Sequence, residues 1–165
     1  MLRLKKKKRL PLFLILLIAL TAGFGIFSWN SWQKDWQSTR KFMPVRVEKV
    51  LAGDTFTAYI PTLNVIQDVK MIGIAIPSGE QAETARTVTQ NMLEGKAVYI
   101  ETDTQLNNYA NEILAYVWLQ KPEKITEQSV KAWNYNCLMI RGGYAEPDFN
   151  NPYNKKYNEI LKESK

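Results

Sequence analysis

The feature that most limits what this chain can become is an uncharged run, "LPLFLILLIALTAGFGIF", at residues 10–27, in which Thr21 is the one strong hydrogen-bonding side chain. As a helix rising ~1.5 Å per residue, it would span about 27 Å, close to the hydrocarbon thickness of a bilayer. Trp29, Trp32 and Trp36 follow it, as an interfacial aromatic belt would. "MLRLKKKKR" precedes it, with Arg3, Lys5, Lys6, Lys7, Lys8 and Arg9 and no acid. That bias predicts a cytoplasmic N-terminus and everything C-terminal on the outer side. A cleaved signal peptide would want a shorter apolar core and small residues flanking the cut. Leu20 spoils a cut after Ala22, and no cysteine follows the run for lipid attachment. The reading is an uncleaved single-pass anchor. Residues 1–9 form a basic cytoplasmic tail, 10–29 a transmembrane helix in the lipid bilayer, 30–43 a stalk, and 44–165 a folded domain.

The formal charge of +6 comes from 22 Lys+Arg against 16 Asp+Glu. The six basic residues of the tail account for all of it, and from Pro44 onward 13 basic residues face 15 acidic ones. A domain that grips phosphate backbones usually carries a basic field of its own, so nucleic acid is a weak expectation as partner. The chain has no histidine and one cysteine, Cys137. Ser–His, Cys–His and His–metal chemistry are excluded, as is an internal disulfide. Cys137 in "NYNCLMIRGG" reads as a small buried hydrophobe.

The domain opens with alternation. Val45, Val47 and Val50 interleave with Arg46, Glu48 and Lys49; "AGD" interrupts, and "TFTAYI" resumes. That is a hairpin signal with Gly53 in the turn. "PTLN" turns again, and "VIQDVKMIGIAI" at residues 65–76 reads as a third strand, with Gly73 marking a bulge or sharp bend. In "PSGEQAETARTVTQNMLEG", Ser78 and Gln81 have capping-box spacing. Ala82, Ala85, Thr89, Met92 and Leu93 share a helix face, and Gly95 stands where a C-cap belongs. Residues 96–102 and 112–119 read as two more strands, 125–142 as a second helix, and Pro152 as the start of a third. The expected fold is α+β and mainly β: a small, strongly bent five-stranded barrel with two to three helices.

The pieces "VEKVLAGDTFTAYI", "VKMIGIAIP", "NMLEGKAVYIE", "ILAYVWL" and "NCLMIRGGYAEP" with "NPYNKKYNEI", in this order and spacing, resemble the staphylococcal nuclease (thermonuclease-like) family over roughly residues 44–162. The resemblance implies an OB-fold barrel and a bacterial cell-membrane setting for the anchored chain. It also implies a site with a calcium ion held by two aspartates and a threonine carbonyl, where two arginines and a glutamate act on a phosphodiester. Calcium wants several hard, preferably anionic oxygens. A guanidinium fork suits developing phosphorane charge, and a glutamate can orient or deprotonate water. Carried over by position, the turn is Ala52-Gly53-Asp54-Thr55, so Asp54 is the residual metal ligand. The first arginine falls at Lys70, the second metal aspartate at Ala75, and the threonine at Ile76, which keeps a carbonyl. The proline matches Pro77, and the glutamate falls at Ser78. The second arginine falls at Asn111 or Glu112. No catalytic side chain is retained, and none is assigned; no cofactor is expected unless the nuclease reading holds, which would need calcium.

Residue by residue, Ser78 reads as a helix N-cap, Lys70 as a surface partner of Asp68, and Asp54 as a turn residue with residual ligand character. Arg141 reads as structural. Tyr109, Tyr116 and Trp118 read as core rather than as base-stacking platforms, and no nucleic-acid-binding residue is assigned. Three functions compete. The first is a non-catalytic module outside the membrane that binds a protein or envelope ligand. The second is a membrane-tethered calcium-dependent nuclease in which Glu80, Glu83 or Glu112 replaces lost ligands. The third is a structural subunit of an envelope or DNA-transfer machine.

Overall fold

A computed structural model describes residues 42–103, 112–150 and 156–165, together with the backbone of 108–109. The apolar run, residues 30–41 of the stalk, Asn111 and Pro152 lie outside the described residues; Phe42 and Met43, expected in the stalk, belong to the barrel, Phe42 buried in its core and Met43 opening its first strand. Among the described residues, no helix is long and apolar enough to cross a membrane. The compact unit runs from Lys41 to Lys165.

Strand β1 (Met43–Ala52) pairs antiparallel with β2 (Thr55–Ile60), and β2 with β3 (Val65–Met71). After β4 (Ile74–Ala75) and helix α1 (Glu80–Leu93) comes β5 (Ala97–Glu101), which returns to the free side of β1. β6 (Asn108–Tyr109) and β7 (Glu112–Trp118) follow; β7 pairs antiparallel with β5 and parallel with β3. The β3–β7 pairing closes a five-stranded barrel, β1-β2-β3-β7-β5, consistent with the OB-fold. Closure leaves none of these five strands with a bare edge along its paired length. Period-2 alternation supplies the inside, with a register shift after Val47 that carries the inward face on to Val50: Val45, Val47 and Val50 from β1, Phe56, Ala58 and Ile60 from β2, and Val69 and Met71 from β3 are all buried. Burying each of the larger of these side chains is worth about 1.5–3 kcal/mol. β5 contributes Val98 and Ile100, and β7 is buried from Ala115 to Trp118 because helices cover its outer face.

The long third strand expected over 65–76 is cut in two. At Gly73, φ is 81°, a left-handed conformation that glycine adopts without a Cβ penalty. The chain there leaves the barrel, and β4 pairs instead with β8 (Glu146–Pro147). The single helix expected over 125–142 is also cut, into α2 (Glu127–Trp133) and α3 (Tyr135–Arg141). Asn134 breaks it: its side chain accepts from Cys137 N at 3.1 Å and caps α3, while its backbone bridges to Trp118. With α4 (Asn158–Lys162), the described residues hold four helices rather than two or three. Helix α1 buries Ala85, Thr89 and Leu93, while Met92 falls outside that face and is 40% exposed.

The end of α1 is sewn to β1. Gly95, at φ 75°, donates to Val47 O, and Val47 N donates to Lys96 O. Where the β1–β2 register shifts near Val50, the Val50 N–H donates to Glu94 Oε2 at 2.9 Å. That bond, first among its causes, holds the half-buried Glu94 carboxyl below its usual range.

Candidate functional site

The candidate site is the β1–β2 turn, the end of β3 that faces it, and the wall running from Ile72 to Ser78. The turn is clamped from two sides. Met71 N donates to Asp54 O at 2.8 Å, and Thr89 Oγ1 of α1 donates to Gly53 O at 2.8 Å. Tyr135 in turn donates its hydroxyl to Thr89 Oγ1 at 3.2 Å, and burial pushes that phenol up, keeping it a neutral donor. This Tyr135–Thr89–Gly53 relay escaped the sequence reading; a threonine on the apolar face of a helix was its one visible trace.

Gly53 is needed for space. Neither Gly53 nor Asp54 has a positive φ, so the turn does not exploit glycine's left-handed freedom. A Cβ at Gly53 would lie 2.8 Å from Ala85 Cβ and 3.2 Å from Ile76 Cδ1. The turn, α1 and the wall meet there. Gly53→Ala is therefore expected to destabilise the domain by about 1–3 kcal/mol through overpacking, read as a lower urea midpoint at unchanged slope.

Asp54 occupies its expected place, with its side chain only 15% exposed. Thr55 Oγ1 donates to Asp54 Oδ1 at 3.0 Å, and Lys70 Nζ lies 3.9 Å from Oδ2. The expected Lys70–Asp68 pairing gives way to this one. Residues two apart on a strand are separated by about 6.7 Å of rise, whereas directly opposed cross-strand neighbours sit about 5 Å apart. Thr55 is the register partner of Lys70 and Asp54 precedes it, while the Asp68 carboxylate accepts from Thr57 Oγ1 at 2.7 Å.

The wall is anchored from behind. Ile72 N donates to Ala115 O, Asn136 Nδ2 donates to Ile72 O at 2.7 Å, and Asp148 N donates to Gly73 O. Ala75 and Ser78 are exposed, and Ile76 lies against Gly53. Ser78 does not cap α1: Gly79, at φ 75°, takes the N-cap position, and no side chain caps that end. The left-handed Gly79 starts the helix one residue past the serine.

The substitute acids do not assemble around Asp54. Glu80 is exposed at the first position of α1; Glu83 pairs with Arg86 at 3.0 Å; Glu112 is the register partner of Asp68 on the neighbouring strand. Among the described residues, no group of three or more His, Cys, Asp or Glu side chains is placed to hold a metal ion. The donor set does not fit calcium. Calcium takes 6–8 oxygens; the carried-over positions offer one carboxylate and one carbonyl, beside an ammonium. Two unit charges 4 Å apart interact by about 1 kcal/mol in water and about 4 kcal/mol at an effective dielectric of 20, and a divalent ion would feel the ammonium twice as strongly.

Tyr116 and Trp118 are wholly buried, as expected of core residues. Cys137 is buried, with Sγ 3.2 Å from Ser164 Oγ. Arg141 donates to Lys131 O at 3.0 Å and ties α3 to α2. The Tyr109 side chain lies outside the described residues.

The closed barrel, its turn at Gly53–Asp54 and the wall after β3 define a nuclease-like domain. The sequence matches the family described as staphylococcal nuclease homologue over residues 68–165, and the chain belongs to that family. The matched span begins within β3; β1 and β2, which precede it, complete the same barrel. No curated protein matches the chain.

Proposed function

We propose that this is a membrane-anchored, non-catalytic staphylococcal-nuclease-like domain, held outside the membrane by residues 10–29, that serves as a binding module for a protein or envelope ligand. The observation that carries the reading is the ion pair between Asp54 and Lys70. The one carboxylate left from the family's metal set is answered by a side chain of this chain, and the positions around it carry Ala75 and Ser78. The domain's near-neutral charge favours a partner other than nucleic acid.

A metal that binds the folded state raises its stability by mass action. Calcium titrated into the protein is expected to leave Tm unchanged up to millimolar concentrations. A saturable rise in Tm that Asp54→Ala abolishes would overturn the reading. For the anchor, alkaline carbonate is expected to leave the full chain in the membrane pellet, and its release would remove that part of the proposal.

A further inference from the structure

The β2–β3 hairpin carries apolar surface that the nuclease-like site does not use. Three large hydrophobic side chains stand exposed within four residues: Leu63 at 53%, Val65 at 39% and Ile66 at 66%. They sit on and beside the loop 61–64, which projects past the last register pair, Ile60↔Val65. The loop is preformed. Pro61 restricts its entry, Leu63 N donates to Ile60 O at 3.2 Å, Asn64 takes φ 53°, and Tyr59 donates its hydroxyl to Asn64 Oδ1 at 3.0 Å.

Its place in the barrel favours a bilayer as its partner. β1 and β2 are antiparallel with Arg46 opposite Tyr59, so the start of β1 and the β2–β3 loop lie at the same end of the barrel. The chain enters β1 through Arg40-Lys41, after a segment of residues 28–41 that follows the apolar run. Fully extended, that segment reaches about 50 Å, so this end of the barrel can reach the surface of any bilayer the run enters. Arg46, Tyr59 and Ile66 are register neighbours across three strands: a cation, an amphipathic ring and an aliphatic chain in one row. A cation and a tyrosine ring at the level just behind the tip suit the headgroup region above an inserted loop, where tyrosine and basic side chains are at home. Arg46 is paired loosely, 3.6 Å from Glu48, and remains 64% exposed. A projecting loop also needs no complementary groove, which a bilayer does not offer.

We infer that the β2–β3 hairpin tip, through Leu63, Val65 and Ile66, dips into the outer leaflet of the membrane that holds the anchor and so fixes the barrel's orientation on the surface. The inference rests on the anchor reading above. The test uses the full chain reconstituted in phosphatidylcholine/phosphatidylglycerol vesicles that contain nitroxide-labelled acyl chains. An environment-sensitive fluorophore is placed at Leu63→Cys, at Ile66→Cys and, as control, at Glu123→Cys. Glu123 follows β7, which runs parallel to β3 and therefore ends at the opposite end of the barrel; Cys137 is buried away from the label. The expected result is loss of emission at 63 and 66 with none at 123. Chain retained after alkaline carbonate but unquenched at both tip positions overturns the hairpin insertion and leaves the anchor standing. Chain released by carbonate overturns the anchor and the hairpin proposal together.

Discussion

Glu101→Ala is expected to cost about 2–5 kcal/mol of stability, because two buried donors lose a charged acceptor at about 1–3 kcal/mol each. Glu101 closes β5 and is 0% exposed. Its Oε2 accepts from Trp118 Nε1 at 3.1 Å and from the Tyr157 hydroxyl at 2.8 Å, and its Oε1 lies 3.3 Å from Lys156 Nζ. Burial, then the Glu101 charge, pushes the Tyr157 phenol well up, so it stays a neutral donor. The Tyr157 ring meets Tyr116 and Trp118 edge-on, with centroids 4.7 and 5.7 Å away. One carboxylate thus ties the approach to α4 onto two strands of the barrel. Truncation would strand the indole N–H and the phenol in the core without their acceptor. A fall in Tm of roughly 10–20 °C follows from the usual conversion for a domain of this size. Glu101→Gln keeps part of the hydrogen bonding and loses the charge, so its loss should be smaller, about 1–2 kcal/mol. Urea unfolding of both variants separates the two contributions.

Asn136→Ala should cost about 2–5 kcal/mol. The Asn136 side chain is 0% exposed and is used at both ends: Nδ2 donates to Ile72 O at 2.7 Å, and Oδ1 accepts from Val117 N at 2.9 Å. Each backbone group left buried without its partner costs about 1–3 kcal/mol. The location makes the loss specific. Ile72 is where β3 turns away from β7 into the wall at residues 72–78, so Asn136 braces the site from behind. Amide exchange should speed up at Val117 in the variant even under strongly native conditions. Asn136→Asp, which keeps an acceptor for Val117 but removes the donor to Ile72 O, should remain destabilised.

Much of the barrel was legible because its strands alternate. Val45 and Val47, like Phe56, Ala58 and Ile60, face inward as their spacing implies, while Val50, three residues on, does so because the register shifts after Val47. The failures came where one polar or glycine residue overrode a continuous pattern. Residues 125–142 carry helix-compatible spacing throughout, and only the capping bond from Asn134 reveals the break. Ser78 and Gln81 have capping-box spacing, but Gly79 adopts φ 75° and takes the cap position itself. Glu101 looked like an ordinary strand residue, because its donors come from 17 and 56 positions further along the chain. At the site, the residues that stand where the resemblance places carboxylates and arginines, Ala75, Ser78 and Lys70 among them, could be read from the sequence alone. The partner of Lys70 was not, because an ion pair across two strands depends on register, and register depends on how the turn closes.

The central claim is that the nuclease-like site has lost its chemistry. A missing general base typically lowers rates by about 10²–10⁴ and a missing charge stabiliser by about 10²–10³; such losses do not simply add. The most direct measurement is hydrolysis of single- and double-stranded DNA and of RNA by the full chain across a calcium titration, with wild type beside Asp54→Ala. The account predicts no calcium-dependent cleavage above background and no difference between the two proteins. Calcium-dependent cleavage by wild type that disappears in Asp54→Ala would contradict it.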